Sequence, residues 1–242
     1  MQNSIVRRIT LPGLALIALA VFGSSVAWAQ SSGGNYTASV DNTICSLNSA
    51  TGELIPPFTN AEGGELTATI KLPNSSPGLV VRPSLVTGLY TNTLSISDTQ
   101  TRTAAVIVVI KDTVNGVTTD LTPNNVCVVT NTQGTQCGTV YDERFQLLNT
   151  MLGSDESVQL ILSSLAAHSF EFVRGSAPGG THTVKMKWFF GCDDGTGQLS
   201  TAACSTGIFL PNSAAACAGP GVLSVQQVQQ FQHSSQIDTT GP

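Results

Sequence analysis

The chain has 242 residues, a formal net charge of −5 and only 10% charged side chains. Its lysines and arginines form no run that could neutralise a series of phosphates, which argues against nucleic acid and anionic membrane surfaces as partners. Thr, Ser, Asn and Gly fill most polar positions, as on the exposed strand faces of extracellular β proteins. The chain is long enough to bury the core of one large β domain.

The first 29 residues have the three parts of a secretory signal peptide. Arg7 and Arg8 give a positive start, an apolar stretch follows over 11–21, and residues 27–29 (Ala-Trp-Ala) carry the small side chains that signal peptidase requires. The apolar stretch is too short for a membrane span of about 20 residues. We therefore expect cleavage before Gln30 and no membrane insertion afterwards. With no lipobox cysteine and no apolar C-terminal anchor in the sequence, we expect soluble export, either periplasmic or secreted, in a bacterium.

All six cysteines follow the predicted cleavage site, and an even number in an oxidising compartment predicts three disulfides. They are Cys45, Cys127, Cys137, Cys192, Cys204 and Cys217. A zinc site usually has two ligands within two to four residues, whereas the closest cysteines here are ten or more apart, so we expect no metal. Cys127 and Cys137 flank a predicted turn nearly symmetrically, which predicts a cross-strand bridge. The pairing of the other four stays open.

Residues 30–64 are rich in Gly and Pro and predict an extended lead-in segment with one strand at 36–40. The main domain is expected over residues 65–230. It begins with Glu65–Leu72, where apolar and polar residues alternate as in a half-buried strand. Three shorter strands separated by Pro83 and Gly88 are expected next: Leu79–Val81, Ser84–Thr87 and Tyr90–Ser97.

The middle of the chain predicts a series of strands joined by tight turns. Thr103–Lys111 is apolar on both faces and should lie centrally in a sheet. Asn115-Gly116 predicts a type I′ hairpin turn into the next strand. The strands expected after this turn are Val117–Leu121, Val126–Thr130, Gln136–Tyr141 and Arg144–Leu148.

Residues 154–165 contain the helical candidate. Ser154 suits an N-cap, and Asp155 and Glu156 suit the positive end of the helix dipole. Apolar residues follow at helical spacing: Val158, Ile161, Leu162 and Leu165. Alternation of Val158, Leu160 and Leu162 leaves a strand as the alternative. We predict a short helix.

The next two strands, Ser169–Val173 and Thr183–Trp188, are predicted to pair as a hairpin about Pro178. In the register that keeps the aromatic residues on the core face, Phe170 lies opposite Met186 and Phe172 opposite Val184. Glu171 then lies opposite Lys185 on the solvent face. This agreement of charge and pattern favours the pairing.

The three histidines are the first candidates for chemistry. His168 and His182 would lie at opposite ends of the core-facing side of this hairpin, too far apart to share a metal ion. His233 lies in the polar residues 231–242, where we expect a flexible tail. We interpret the histidines as structural.

Residues 191–221 predict a long loop, and Val222–Val228 predicts the last strand. Together with 180–188, this last strand resembles the closing strands of secreted jelly-roll domains of the C1q and tumour-necrosis-factor type, over about a fifth of the chain. The resemblance implies a two-sheet sandwich and a role in binding or oligomerisation. We predict an all-β antiparallel sandwich, jelly-roll or immunoglobulin-like, with one short helix and disulfide-tied loops.

Catalytic motifs are lacking in the sequence. No Gly-x-Ser-x-Gly is present, and the adjacent acids at 142–143, 155–156 and 193–194 are typical of turns and caps. The loop at 193–197 offers oxygen ligands but lacks the alternating acids of an EF-hand, so we predict an Asx turn. Candidates for a sugar-stacking platform are Tyr90, Tyr141 and Phe189.

These observations favour a non-enzymatic exported module, without a cofactor, that binds a glycan or an extracellular protein. Two alternatives stay open. One is an extracellular hydrolase whose carboxylates converge only in the fold. The other is a structural subunit of a surface layer or fibre, for which an oligomer is expected.

Overall fold

The computed structural model describes residues 35–55, 63–74, 77–96, 98–150, 156–193, 195–205 and 210–229. The predicted signal peptide, the predicted tail with His233, and Ser154 and Asp155 lie outside these residues. The described residues form thirteen β-strands and no helix. The strands are β1 (Tyr36–Asp41), β2 (Ser46–Leu47), β3 (Leu54–Ile55), β4 (Gly64–Leu72), β5 (Gly78–Ser95), β6 (Gln100–Val114), β7 (Val117–Asp120), β8 (Val126–Thr130), β9 (Gly134–Leu148), β10 (Val158–Ser169), β11 (Phe172–Arg174), β12 (Gly180–Asp193) and β13 (Ser213–Val228).

Two antiparallel sheets pack face to face. The first sheet has the order β1-β13-β5-β10, with β11 also pairing with β5, and the second has the order β4-β12-β6-β9-β8, with β7 also pairing with β6. β2 and β3 form a separate hairpin that packs against the first sheet through Leu54 and Tyr90. The strand at the start of the expected lead-in segment, β1, therefore belongs to the first sheet.

The order of the eight principal strands is that of a jelly roll. The eight principal strands are, in chain order, β1, β4, β5, β6, β9, β10, β12 and β13, and we number them 1 to 8. In these numbers the order of one sheet is 1-8-3-6 and the order of the other is 2-7-4-5. Successive principal strands thus lie in opposite sheets, except for β6 and β9. In an immunoglobulin fold the first two strands share a sheet. The two segments that resemble jelly-roll closing strands are β12 and the end of β13.

The core between the sheets consists of inward-facing residues from both layers, including Leu85 and Leu89 of β5 and Val106 and Ile110 of β6. β6 is buried on both faces, as its sequence predicts, because Ala105 and neighbours form a second cluster on the outer face. The Asn115-Gly116 turn has φ values of 51° and 78°, as a type I′ turn requires.

The predicted helix is wrong: residues 158–169 form β10. This strand pairs with β5 along its whole length, from Val158 opposite Ser95 to Ser169 opposite Ser84. This pairing over twelve residues provides hydrogen-bond partners for the backbone groups on one edge of the strand. The alternation of Val158, Leu160 and Leu162 therefore predicts the segment better than helical spacing does.

The predicted hairpin of Ser169–Val173 with Thr183–Trp188 is also wrong. Phe172 pairs with Val81 of β5, in the first sheet. Met186 lies between Leu66 and Ile110, in the second sheet. The chain crosses from one sheet to the other about Pro178. Both edges of β12 are already paired, one with β4 and the other with β6, so β12 has no free edge for Ser169–Val173. Glu171 forms its ion pair with Arg82 rather than with Lys185.

Four expected interruptions are likewise absent. Up to Ser95, the three expected short strands form one strand, β5. Pro83 does not interrupt it, because Pro83 lies where β5 changes partner from β10 to β11 and no backbone amide hydrogen bond is needed. β9 runs through 142–143 by means of a bulge, so these acids are not in a turn. β13 begins at Ser213, well inside the segment expected to be a loop.

Three disulfides are present: Cys45–Cys217, Cys127–Cys137 and Cys192–Cys204. Cys127–Cys137 is the pair expected from the sequence, and the two residues are directly opposite in the β8–β9 hairpin. The other two bridges join residues whose pairing the sequence left open. Three intramolecular disulfides indicate an oxidising environment, extracellular or periplasmic.

Tyr141 links the two sheets at the bulge in β9. Its hydroxyl accepts a hydrogen bond from the Leu85 amide (3.0 Å) and donates to the His168 carbonyl (2.6 Å), both in the first sheet. Burial raises the pKa of Tyr141 to about 12, from an ordinary value of 10.0. The neutral phenol is therefore the form that the fold stabilises.

We expect the protein to lose stability at alkaline pH through this tyrosine. Because the folded pKa is raised, the contribution of Tyr141 is complete below pH 10 and is lost as the pH rises towards 12. Tyr141→Phe should lower the free energy of unfolding at pH 7 by about 1–3 kcal/mol, since it leaves the buried Leu85 amide unpaired. It should also flatten the loss of stability above pH 10. Urea unfolding at several pH values measures both effects, and parallel curves for the two proteins would contradict the assignment.

Candidate functional site

A groove of 540 Å³ opens on the outer face of the second sheet. It forms where β6 changes partner: Val108 is the last residue paired with β9, whereas Lys111 is paired with Asp120 of β7. The start of β9 forms another wall, and the Cys127–Cys137 bridge holds this wall in place. The volume is within the range of small-ligand sites, about 300–1,000 Å³.

Three of the four lysines of the chain line this groove, which we call the lysine groove. Lys111 lies directly opposite Lys185, and Lys187 lies two residues further along β12 on the same face. Like charges directly opposite each other destabilise an antiparallel pair. The arrangement therefore costs stability, which is common where side chains serve binding.

Two carboxylates partly neutralise the three lysines. Glu65 lies 3.0 Å from the Lys185 Nζ and 3.3 Å from the Lys187 Nζ, and Asp120 lies 3.6 Å from the Lys111 Nζ. Burial raises the pKa of Glu65, but the hydrogen bonds and charges of Lys185 and Lys187 outweigh burial and lower it below 4.5. Glu65 is thus ionised at neutral pH and loses its negative charge only as the pH falls through this lowered value.

The remaining lining of the lysine groove is polar and able to form hydrogen bonds. Threonine hydroxyls and carboxamides surround the lysines: Thr113, Thr118, Asn124, Thr135 and Gln136. Ammonium groups donate, carboxamides donate and accept, and hydroxyls do both. The groove can therefore hold a polar ligand that carries hydroxyl groups and a negative charge.

The expected sugar-stacking platform is not formed by the residues proposed for it. Tyr90, Tyr141 and Phe189 are at most 4% exposed. Tyr90 packs beneath the Cys45–Cys217 bridge, and Tyr141 lies between the sheets. Phe189 lines the groove, but too little of its ring is exposed for a sugar to stack on it.

The two described histidines lie in different sheets. His182 is fully buried, with Nδ1 2.8 Å from Asp112 Oδ2 and Nε2 2.7 Å from the Pro178 carbonyl. Arg174 pairs with the same carboxylate from the first sheet. Within the part of the chain that the structure describes, no three His, Cys, Asp or Glu residues are grouped as metal ligands.

The second histidine does not form a hydrolase relay. The Asp142 carboxylate accepts a hydrogen bond from the Thr87 hydroxyl and lies 3.3 Å from His168 Nε2. In a catalytic triad the histidine lies between the hydroxyl nucleophile and the carboxylate. Here the Asp142 carboxylate lies between the Thr87 hydroxyl and His168. At the other predicted loop, Asp193 Oδ1 accepts hydrogen bonds from the amides of Gly195 and Gly197, as in an Asx turn.

The lysine groove was not apparent in the sequence. Lys185 and Lys187 alternate on the exposed face of one strand, and this is the signal that could have been noticed. Lys111 is 74 positions away and joins them only through the pairing of β6 with β12. The sequence shows no cluster of basic residues, but the fold makes one.

No helix long and apolar enough to cross a membrane is found in the described ranges. No model of a known protein family matches the chain, and no curated protein is significantly similar to it.

Proposed function

We propose that this protein is an exported, non-enzymatic module that binds an acidic glycan in the lysine groove. The single observation that carries the proposal is the set of three lysines on one concave, polar sheet face. Charge-assisted hydrogen bonds from ammonium groups to carboxylate or sulfate are stronger than neutral ones. A glycan with uronic acid or sulfate groups supplies both the charge and the hydroxyls that this lining can bind.

Glu65 and Asp120 set the selectivity of such a site. They leave one positive charge in excess, so a ligand with a single acidic group per one or two sugars matches the groove better than a polyanion does. A highly charged ligand such as nucleic acid would be repelled by both carboxylates. Removing Glu65 should therefore broaden binding towards more highly charged ligands.

The test is a glycan array followed by calorimetry on the best ligand. Lys185→Gln or Lys187→Gln should weaken binding at least tenfold, since a hydrogen bond to a charged group contributes about 1.5–3 kcal/mol. Glu65→Gln should strengthen binding of sulfated glycans. Affinity should fall with added salt.

Lys71→Gln is the matched control, because Lys71 is the fourth lysine and does not line the groove. This variant should bind as the unchanged protein does. An array on which no acidic glycan is bound, or equal losses in the Lys71 and Lys185 variants, would overturn the proposal.

The second candidate function, assembly into a surface structure, is favoured by an apolar side of the sandwich. β10 is the last strand of its sheet, and no charged residue occurs in it before His168. Large apolar side chains are exposed on β10 and on the neighbouring end of β9: Phe145, Leu147, Leu160, Ile161, Leu162 and Leu165. Apolar patches and open edges of this kind mark interaction surfaces.

Sedimentation velocity over a hundredfold range of concentration distinguishes this second function. Assembly predicts a concentration-dependent oligomer that Ile161→Lys disrupts while the Lys185 variant does not. A monomer at every concentration would exclude self-assembly and leave glycan binding unaffected.

A further inference from the structure

At one end of the space between the sheets, several inward-facing side chains are polar rather than apolar. In β5, the inward-facing positions continue from Leu85 and Leu89 to Thr91 and Thr93. In the second sheet, Arg102 of β6 lies opposite Gln146 of β9 on the same inner face as Val106 and Ala104. Polar residues at core positions are unfavourable unless they have a partner or a function.

We call Thr91, Thr93, Arg102, Arg144 and Gln146 the inter-sheet polar cluster. Arg144 belongs to it because it lies opposite Ala104, on the same face and diagonal to Arg102. All but Arg144 are at least 94% buried. Side chains at diagonal positions in antiparallel strands lie about 7–8 Å apart at the backbone, so Arg102 and Arg144 are neighbours on this inner face.

Each member of this cluster has a buried polar atom without a hydrogen-bond partner among the described residues. These atoms are Thr91 Oγ1, Thr93 Oγ1, Arg102 Nε, Arg144 Nε and Gln146 Oε1. Buried polar groups in native proteins nearly always have a partner. Five such atoms in one inter-sheet region therefore point to a bound group.

The charge of the cluster is also unbalanced. Neither Arg102 nor Arg144 forms an ion pair in the described part of the chain, and the one hydrogen bond of the Arg102 guanidinium goes to the Thr101 carbonyl. The neighbouring carboxylate, Asp142, is already bonded to Thr87 and close to His168. A buried guanidinium without a counter-charge is costly, so an anion would stabilise this region.

A ligand could enter from the side of the sandwich. Leu160 and Leu162 of β10 face inward, opposite Thr93 and Thr91, yet they are 37% and 36% exposed. This edge of the sandwich, next to Thr91 and Thr93, is therefore partly exposed to solvent. Gln146 spans this side, where its Nε2 donates to the Leu160 carbonyl (3.0 Å).

We propose that Arg102 and Arg144, with Gln146 and the two threonines, bind a small oxyanion between the sheets. Guanidinium groups match the planar geometry of carboxylate and the oxygens of phosphate. Gln146 Oε1 accepts hydrogen bonds, so the best ligand carries a donor next to its charge, as a hydroxycarboxylate does. This site is separate from the lysine groove, which lies on the outer face of the second sheet.

Calorimetry at constant ionic strength tests the site with lactate and with inorganic phosphate as probes. We expect saturable one-to-one binding of both probes, tighter for lactate, whose hydroxyl group next to the carboxylate can donate to Gln146 Oε1. Arg144→Gln should weaken binding at least tenfold. Thr93→Val keeps the shape of the side chain and should weaken it several-fold, which provides a test if Arg102 variants do not fold.

Arg82→Gln is the control, because Arg82 is half exposed and paired with Glu171. It should bind both probes normally. Nitrogen-15 NMR adds a direct readout: the Nε–H signals of Arg102 and Arg144 should shift on titration while that of Arg82 does not. Absence of saturable binding of either probe, or equal effects in the Arg82 and Arg144 variants, would overturn the site.

Discussion

Replacing Cys45 and Cys217 together by alanine is expected to lower the free energy of unfolding by about 5 kcal/mol. The bridge spans a sequence separation of 172, so its loss restores much conformational entropy to the unfolded chain. It also belongs to a buried cluster with Leu54 and Tyr90, which would lose packing contacts. Urea unfolding of the double variant measures the effect.

The Cys127→Ala/Cys137→Ala variant is the matched control. It also removes one disulfide, but this one spans a sequence separation of only 10, for which the same entropy argument gives about 3 kcal/mol. We expect the variant without the Cys45–Cys217 bridge to lose more stability than the variant without the Cys127–Cys137 bridge. Equal losses, or a larger loss for the short bridge, would show that loop entropy does not determine the contribution of these bridges.

Gly88 lies directly under the Cys45–Cys217 bridge. A Cβ atom at this position would lie 2.5 Å from the Cys45 Sγ and 2.8 Å from the Cys217 Sγ. The glycine in the middle of a long strand is thus explained by the bridge that lies over it. The sequence predicts that a strand ends at Gly88, but β5 continues through it, because the glycine is needed there to leave room for the bridge.

Asp112→Ala is expected to lower the free energy of unfolding by about 3–5 kcal/mol. Asp112 and His182 are fully buried and the Arg174 side chain is 16% exposed, so the carboxylate is the counter-charge of Arg174 and the hydrogen-bond partner of His182. The two ring nitrogens of His182 lie 2.8 Å from the Asp112 carboxylate and 2.7 Å from the Pro178 carbonyl. Alanine would leave the Arg174 guanidinium without its counter-charge and the buried His182 Nδ1 without its hydrogen-bond partner.

A triple variant separates the burial of charge from the loss of packing. Asp112→Leu, His182→Met and Arg174→Met together replace the whole cluster by apolar residues of similar size, which is often neutral or stabilising. We expect this variant to unfold at a higher urea concentration than Asp112→Ala. If it is as unstable as the single variant, lost packing rather than unpaired charge explains the effect of Asp112→Ala.

Local patterns predicted the parts of this fold that depend on neighbours in sequence. Alternation over 65–72 and the two-sided apolar run over 103–111 identified β4 and the centre of β6, because side chains in a strand alternate between faces. The Asn115-Gly116 turn and the Cys127–Cys137 bridge are contacts within hairpins. Such contacts are set by the turn, so spacing alone predicts them.

The errors concern segments whose structure depends on a distant partner. Residues 158–165 satisfy helical and strand spacing together, and the adjacent strand β5 decides between them. The aromatic residues of β11 and β12 match each other in pattern, but the jelly-roll order puts the two strands in different sheets. Pairing between remote strands leaves no mark in the spacing of either one.

For this protein, composition and local periodicity determined the class: an antiparallel β-sandwich with disulfides. Tertiary structure alone decided the two candidate binding regions. Lys111 meets Lys185 and Lys187, and Arg102 meets Arg144, only when strands far apart in the chain become neighbours. A site assembled across strands depends on register and sheet order, which are properties of the whole fold and not of any single segment.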